Sequence, residues 1–234
     1  MSGLLHGRVA LVTGASRGIG AAAAIELGRL GAHVVLTART QGGLEETDDA
    51  IRAAGGTATL LPMDLRESEN VDKIGPSIYT RFDRLDILVH AAGALGKLTP
   101  VSHMLDGDWA EAMTVNLAAA WRLIRSCAPV LAASDAGRAV FVTDARARAP
   151  SAYWGMYGAS KAGMEHLVLT WAAELRTTAM RVNLFDPGVV ASRLRGNAMP
   201  GEDPSKLAAA GSVAPGLVAL CLPGEDRHGV IAGV

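Results

Sequence analysis

Short runs of β-branched residues alternate with alanine-rich stretches along the chain, and this alternation constrains the fold more than any other feature. The β-branched runs cover residues 9–12, 34–37, 57–61, 87–89, 140–143 and 182–185. Apolar residues at helical spacing fill residues 19–30, and a weaker helix is expected over 44–54. Strands that alternate with helices predict a parallel sheet covered on both faces. We therefore predict a three-layer, doubly wound α/β fold in which residues 1–234 form one domain.

The composition supports one large core and excludes several classes of protein. Half of the 234 residues are hydrophobic, and 22 Lys and Arg nearly balance 23 Asp and Glu, so the bulk of the chain is not disordered. No basic stripe is present for binding nucleic acid. Cys127 and Cys221 lie far apart, which argues against a disulfide framework or a metal site and favours a reducing cytoplasm.

Three segments bear on targeting and on loops. Residues 1–8 lack the pattern of an export signal. Residues 207–224 are uncharged, but glycines and prolines interrupt them, so a buried, broken helix is preferred over a membrane span and no membrane partner is expected. Residues 189–206 are the least regular stretch, and a long structureless insert of this kind is predicted to be a substrate lid.

A glycine-rich loop, TGASRGIG at residues 13–20, directly follows the first predicted strand and opens the first helix. A doubly wound fold binds a pyrophosphate at this place. Gly14 permits a tight turn, Gly18 lets the backbone approach a ligand, and Gly20 lets the helix pack on the sheet. The first N–H groups of the helix would face the anion.

The end of the second predicted strand, LTART at residues 36–40, contains no carboxylate. An acidic residue there would bind a ribose 2′-hydroxyl and repel a 2′-phosphate. Arg39 instead offers a bidentate donor for a phosphate, and Arg17 could reach the same group from the glycine loop. NADP(H) is therefore favoured over NAD(H), with two solvated surface arginines as the alternative.

Tyr157 and Lys161 lie one helical turn apart in the sequence YGASK and head an apolar stripe. The stripe continues through Met164, Val168, Trp171 and Leu175. A free tyrosine is a poor base near neutral pH, but a nearby cation favours the phenolate. The pair is a candidate acid-base centre.

Together, the glycine loop, the Tyr157–Lys161 pair, Asn116 in TVNL and the DPG of residues 186–188 resemble the short-chain dehydrogenase/reductase family, in order and spacing from residue 10 to about residue 192. The resemblance implies a Rossmann-type NADP(H)-dependent oxidoreductase that moves a hydride between nicotinamide and a carbonyl or alcohol substrate. Tyr157 would donate or accept the proton, Lys161 would bind the nicotinamide ribose and lower the tyrosine pKa, and Asn116 would hold a water. By residue type alone, a helix-bending amide is the preferred reading of Asn116.

The same resemblance implies contacts along the whole cofactor. Asp64 would lie against the adenine, although by residue type alone a strand-end turn former is the preferred reading of this residue. The backbone of residues 91–93 would line the ribose, and residues 187–192 would hold the nicotinamide end. The predicted cofactor-binding residues are Gly14, Ser16, Arg17, Gly18, Ile19, Gly20, Arg39, Asp64, Leu65, His90, Ala91, Gly93, Tyr157, Lys161, Pro187, Gly188, Val190 and Ser192.

Asp144 departs from the family pattern, which usually has a serine that holds the substrate oxygen, and it completes the catalytic candidates. An ionised Asp144 would repel the oxyanion that forms when a hydride adds to a carbonyl, and only a protonated one could donate. Thr143 faces the opposite side of its strand and cannot replace it. Asp144 could also pair with Arg146 or Arg148, or contact a polar substrate. A catalytically attenuated NADP(H)-binding sensor or assembly protein is therefore the alternative function.

Two further departures are expected to be structural. His90 stands where the family commonly has Asn, and a neutral imidazole offers the same donor and acceptor. Residues 229–234 predict a short seventh strand that stops before the usual glycine-rich tail, which suggests a truncated end or one supported by a partner subunit. The resemblance implies a homodimer or homotetramer. Substrate choice is assigned to residues 94–100, 146–154 and 189–206.

Overall fold

Seven strands form one parallel sheet, and the structure, a computed structural model, describes residues 3–233. The strands of this sheet are β1 Val9–Thr13, β2 His33–Ala38, β3 Thr57–Pro62, β4 Ile87–His90, β5 Arg138–Val142, β6 Arg181–Asp186 and β9 Ile231–Gly233, and a separate pair consists of β7 Val190–Ala191 and β8 Ala208–Ala209. The order is β3-β2-β1-β4-β5-β6-β9, and every neighbouring pair is parallel. The order reverses between β1 and β4, and a crevice opens there at the carboxyl ends of the strands.

Helices cover both faces of this sheet. They are α1 Gly18–Arg29, α2 Gln41–Ala53, α3 Ser68–Asp72, α4 Ile74–Phe82, α5 Asp106–Met113, α6 Ala119–Ala132, α7 Gly155–Glu174, α8 Arg193–Ala198 and α9 Ala210–Ala219. Successive strand residues point to opposite faces, so Leu11 packs in one core with Leu123 of α6, while Val12 packs in the other with Leu27 of α1. The predicted three-layer, doubly wound fold is confirmed.

The six predicted strands are all present, with ends that differ from the prediction by at most two residues. The expected short seventh strand is β9, and its predicted last residue, Val234, lies outside the described residues. Met1 and Ser2, the first residues of the segment predicted to lack an export signal, also lie outside the described residues. The uncharged stretch contains α9 with Pro215 inside it, and within residues 3–233 no helix is long and apolar enough to cross a membrane.

Residues 189–206 contain more regular structure than predicted. β7 pairs with β8, so the two ends of the segment are held side by side, and α8 lies between them. The Ser192 side chain accepts a hydrogen bond from the Arg195 N–H at 3.1 Å and so caps α8. The expectation of a structureless insert is wrong, because a six-residue helix is too short to show a periodic apolar pattern.

Candidate active site

The glycine loop crosses the carboxyl end of β1 with conformations that only glycine adopts freely. Gly14 has φ +68°, and a Cβ on it would lie 2.7 Å from the Ala92 backbone nitrogen. Gly18 has φ +57°, and a Cβ there would meet nothing within 4 Å, so the loop is open towards the cleft. In α1, no side chain caps the N-terminus and the first turn has no acidic residue. Its N–H groups are free to bind an anion.

Two of the three arginines at the far end of the cleft are those that the sequence indicated. Arg39 and Arg17 both line the cleft, and Arg17 donates to the Thr40 Oγ1 at 3.3 Å. Glu111 of α5 faces them, with its Oε1 3.9 Å from Arg39 Nη1 and 3.6 Å from Nη1 of Arg66, the third arginine. Two arginines beside one cleft offer the donors that a phosphate needs.

Asp64 is held by its own neighbour. The Arg66 Nε donates to both carboxylate oxygens, at 3.1 and 2.9 Å, and the Arg66 backbone N–H donates to Oδ1 at 2.9 Å. The side-chain hydrogen bond from Arg66 is the main cause of the lowered pKa of Asp64. These contacts match the turn-forming reading of Asp64, and any bond to an adenine would have to share this carboxylate.

His90 belongs to the core below the cleft and not to its wall, which corrects its assignment as a cofactor-binding residue. Its side chain is fully buried, and Nδ1 lies 2.8 Å from the Thr13 Oγ1. Burial, aided by the charge of Lys161, lowers the pKa of His90 to about 3, so the imidazole is neutral as the structural reading expects. Only its neighbours at residues 91–93 reach the cleft.

Tyr157 and Lys161 share one face of α7, and both line the cleft although they are largely buried. The Lys161 Nζ donates to the Val142 carbonyl at 2.8 Å, and burial lowers its pKa to about 8. Burial raises the pKa of Tyr157, and the charges of Asp144 and Asp186 raise it further. Lys161 was expected to lower the pKa of Tyr157, but the protein's own groups raise it instead, because burial and the two carboxylates favour the neutral phenol.

Asn116 lies in a π-helical turn, Thr114–Ala118, between α5 and α6. Its amide oxygen accepts from the Ala94 N–H at 2.8 Å, and its NH₂ group donates to the Ala94 carbonyl and the Ser160 Oγ, both at 2.8 Å. The protein therefore uses both N–H donors of the amide. These contacts join the loop after β4 to α7 and lie outside the helix of Asn116 itself, and a water in this region would need other donors.

Asp144 follows β5 and lines the cleft. Its Oδ1 accepts from the Arg146 backbone N–H at 2.8 Å, but within residues 3–233 the carboxylate forms no ion pair. The Arg146 guanidinium instead lies over the Trp154 ring at 5.1 Å, and Arg148 bridges Glu165 and Asp186. The alternative of a surface ion pair with either arginine is therefore wrong.

Apolar side chains form the wall beside Tyr157. Trp154 packs edge-on against the phenol with ring centroids 5.8 Å apart, and Leu95, Leu98 and Leu194 pack against the two rings. The whole cleft has a volume of about 730 Å³ and runs from the glycine loop to α8. Among residues 3–233, no cluster of His, Cys, Asp and Glu could hold a metal ion.

Comparison with known proteins identifies the family. A family model described as short chain dehydrogenase matches residues 8–203. The chain belongs to the short-chain dehydrogenase family. It is 36% identical over 228 residues to the uncharacterized oxidoreductase YciK of Escherichia coli, covering 96% of this chain and 89% of that protein. It is 33% identical over 186 residues to the 3-oxoacyl-[acyl-carrier-protein] reductase FabG of Pseudomonas aeruginosa, covering 80% and 75%.

A solved structure also resembles this dehydrogenase closely. The protein from Shigella flexneri, crystallised as a complex with NADP, superposes with a TM-score of 0.93 at 34% identity. The match covers 100% of this chain and 99% of the other. The Rossmann-type sheet and its helices are thus shared over the full length.

Sequence reasoning missed two residues, Arg66 and Glu165, that contact side chains lining the cleft of this dehydrogenase. Arg66 stands two residues after Asp64, and its sequence position carries no signal that it would face Glu111. Glu165 lies four residues after Lys161, a spacing that places it on the same helix face, yet its role as a buried partner of Arg148 and of the Thr143 hydroxyl, at 2.5 Å, depends on other elements.

Proposed function

We propose that this protein is an NADP(H)-dependent oxidoreductase that moves a hydride between nicotinamide and a carbonyl or alcohol substrate. One observation carries the proposal: Tyr157 and Lys161 line the same cleft as the glycine loop and Arg39. A proton-transfer group, a cationic neighbour and an anion-binding loop thereby share one cleft at the switch point of the sheet.

The residues of the cleft fit NADP(H). The open N-terminus of α1 suits the pyrophosphate, and Arg17 and Arg39 suit the 2′-phosphate, since no carboxylate ends β2. A Cβ on Gly93 would lie 3.9 Å from the Lys161 Nζ, so a group seated against this glycine would lie close to the amine. The related protein from Shigella flexneri, crystallised with NADP, supports the same cofactor here.

The charges around Tyr157 favour its role as a proton donor. The cofactor, when bound, supplies or accepts the hydride. Because burial and the carboxylates of Asp144 and Asp186 raise the pKa of Tyr157, the phenol is protonated at neutral pH and can give its proton to the reduced substrate. Lys161 lines the same cleft as the phenol, and its amine donates to the Val142 carbonyl.

Replacement of the phenol tests this role. Tyr157→Phe should lower the rate of NADPH oxidation by about 10²- to 10⁴-fold in a panel of carbonyl substrates, because it removes the proton donor. The dissociation constant for NADPH, measured by calorimetry, should stay within about threefold of wild type, since the aromatic ring remains in place. A Tyr157→Phe variant that oxidises NADPH within tenfold of the wild-type rate would exclude Tyr157 as the acid.

A second candidate function is an attenuated NADP(H)-binding sensor or assembly protein. The unpaired Asp144 favours it, because a carboxylate in the cleft opposes the formation of an oxyanion. Under this reading Asp144→Ser raises carbonyl reduction above the wild-type rate. An equal or lower rate in the variant would reject it.

Assembly and closure are further parts of the proposal. A homodimer or homotetramer is supported by the exposed Trp121 on α6, and light scattering would measure the subunit number. Residues 189–206 are proposed as a substrate lid, because Val190 and Leu194 within them line the cleft.

A further inference from the structure

The carboxylate of Asp144 is the one acidic group beside Tyr157 whose charge the described residues leave without an ion pair. Asp186, which also acts on the phenol, is paired with Arg148. Asp144 is half-buried at the cleft wall, and one of its oxygens accepts a single backbone hydrogen bond from Arg146. A negative charge is thus built into the place where a substrate's reacting atoms would lie.

The cations near this carboxylate form their direct contacts with other groups. Arg195 pairs with Glu202 through Nε–Oε2 at 2.5 Å and Nη2–Oε1 at 2.8 Å. The Lys161 amine donates to the Val142 carbonyl, on the side of the β5 backbone. Arg146 stacks on Trp154. The charges of the Asp144 and Asp186 carboxylates both act on the phenol, and their field opposes the appearance of negative charge there.

This field selects among hydride acceptors. When a hydride adds to a carbonyl carbon, the π electrons move to oxygen and negative charge develops there. When it adds to a protonated C=N group, the π electrons become the nitrogen lone pair, and a positive charge is lost. A nearby carboxylate destabilises the carbonyl substrate as its oxygen becomes an anion. The same carboxylate attracts the cationic C=N substrate into the site.

We propose that this cleft binds and reduces protonated imines, with the Asp144 carboxylate holding the cationic nitrogen. The proposal rests on the hydride transfer proposed above. The hydride forms the new C–H bond, the C=N π bond breaks towards nitrogen, the iminium becomes a neutral amine, and the reduced nicotinamide becomes oxidised. No proton is required in this step, because the nitrogen enters protonated. The apolar wall of Trp154, Leu95 and Leu194 suits a cyclic or aromatic skeleton.

The test compares a permanent cation with a neutral molecule of the same shape. The probes are an N-methylated dihydroisoquinolinium and a tetralone, each offered to the protein with NADPH. The binding probe is the N-methylated tetrahydroisoquinoline product, protonated at neutral pH, measured by calorimetry. Asp144→Asn keeps the acceptor for the Arg146 N–H and removes the charge. The matched control is Asp226→Asn, because Asp226 carries an exposed carboxylate outside the cleft.

We expect wild-type protein to oxidise NADPH faster with the iminium than with the tetralone. Asp144→Asn should bind the cationic product about 10- to 100-fold more weakly and should reverse the preference between the two substrates, while Asp226→Asn matches wild type. Cation binding that is equal in wild type and Asp144→Asn, together with reduction of the tetralone alone, overturns this inference but leaves the proposed oxidoreductase intact. Cation binding that depends on Asp144 without oxidation of NADPH by either substrate, or by the carbonyl panel, supports the cation site and overturns the hydride transfer.

Discussion

Glu111 is expected to weaken the binding of a 2′-phosphate and so to set the preference between NADPH and NADH. Its carboxylate stands 3.9 Å from Arg39 Nη1 and 3.6 Å from Arg66 Nη1. A phosphate that binds Arg39 must compete with this carboxylate and lie near it. Glu111→Gln removes the competing charge and keeps the shape of the side chain.

The size of the effect follows from distance and exposure. Two unit charges 3.9 Å apart attract by about 1 kcal/mol in water. The Arg39 and Glu111 side chains are 61% and 38% exposed, and exposed pairs are reduced further by screening and side-chain entropy. We therefore expect NADPH to bind about two- to fivefold more tightly to Glu111→Gln, and we expect NADH, which lacks the phosphate, to bind as it does to wild type.

Calorimetric titration with both cofactors measures the two dissociation constants. Asp108→Asn is the matched control, since Asp108 lies on the same helix and lines the cleft but pairs with Lys97 at 3.4 Å instead. The gain for NADPH should shrink as salt is added, because exposed charges are screened. Equal tightening of NADPH and NADH, or none, would refute the assignment of Arg39 to the 2′-phosphate.

Two further predictions concern buried charges. Asp86 is fully buried, and burial alone would raise its pKa, but hydrogen bonds led by the one from Arg84 lower it. The ionised carboxylate therefore stabilises the folded protein above the ordinary pKa of an aspartate. This contribution is lost as the pH falls through the pKa that Asp86 has in the folded state. Asp86→Asn should cost about 3 kcal/mol in urea unfolding at neutral pH, with the difference from wild type narrowing in acid; a cost no larger than that of the exposed Asp135→Asn would contradict this. Burial lowers the pKa of Lys161 to about 8 in the folded protein, against an ordinary value of 10.5, so on raising the pH the folded state loses this proton before the unfolded state does. Between these two pH values, the free energy of unfolding of wild type should therefore rise relative to that of Lys161→Met, by about 1–3 kcal/mol. A difference between the two proteins that is constant across this range would show that the amine is not desolvated.

Local sequence pattern was sufficient for the layers of the fold and for the general place of the site. Every predicted strand lies in the sheet, because strands buried on both faces must be continuously apolar, and that pattern can be read directly from the chain. The glycine loop lies where it was expected, since its conformation depends on residues next to one another. The short helix α8 was missed because so few residues show no period.

Electrostatic relations in the site could not be predicted in the same way. Lys161 was expected to lower the pKa of Tyr157, but burial and two carboxylates raise it. One alternative prediction paired Asp144 with Arg146 or Arg148, but Arg148 forms ion pairs with Glu165 and Asp186 instead. These outcomes depend on which side chains from separate elements meet.

The chain's own order of residues thus determined the parallel sheet, the anion-binding turn and the helix that presents phenol and amine together, since each depends on neighbours within a few positions. Only the tertiary structure decided that Asp144 keeps an unpaired charge, that His90 lies in the core, and that Arg66 and Glu111 face the same end of the cleft. Charges act over distances in space, and desolvation depends on everything packed around a group, so neither can be read from spacing along one chain.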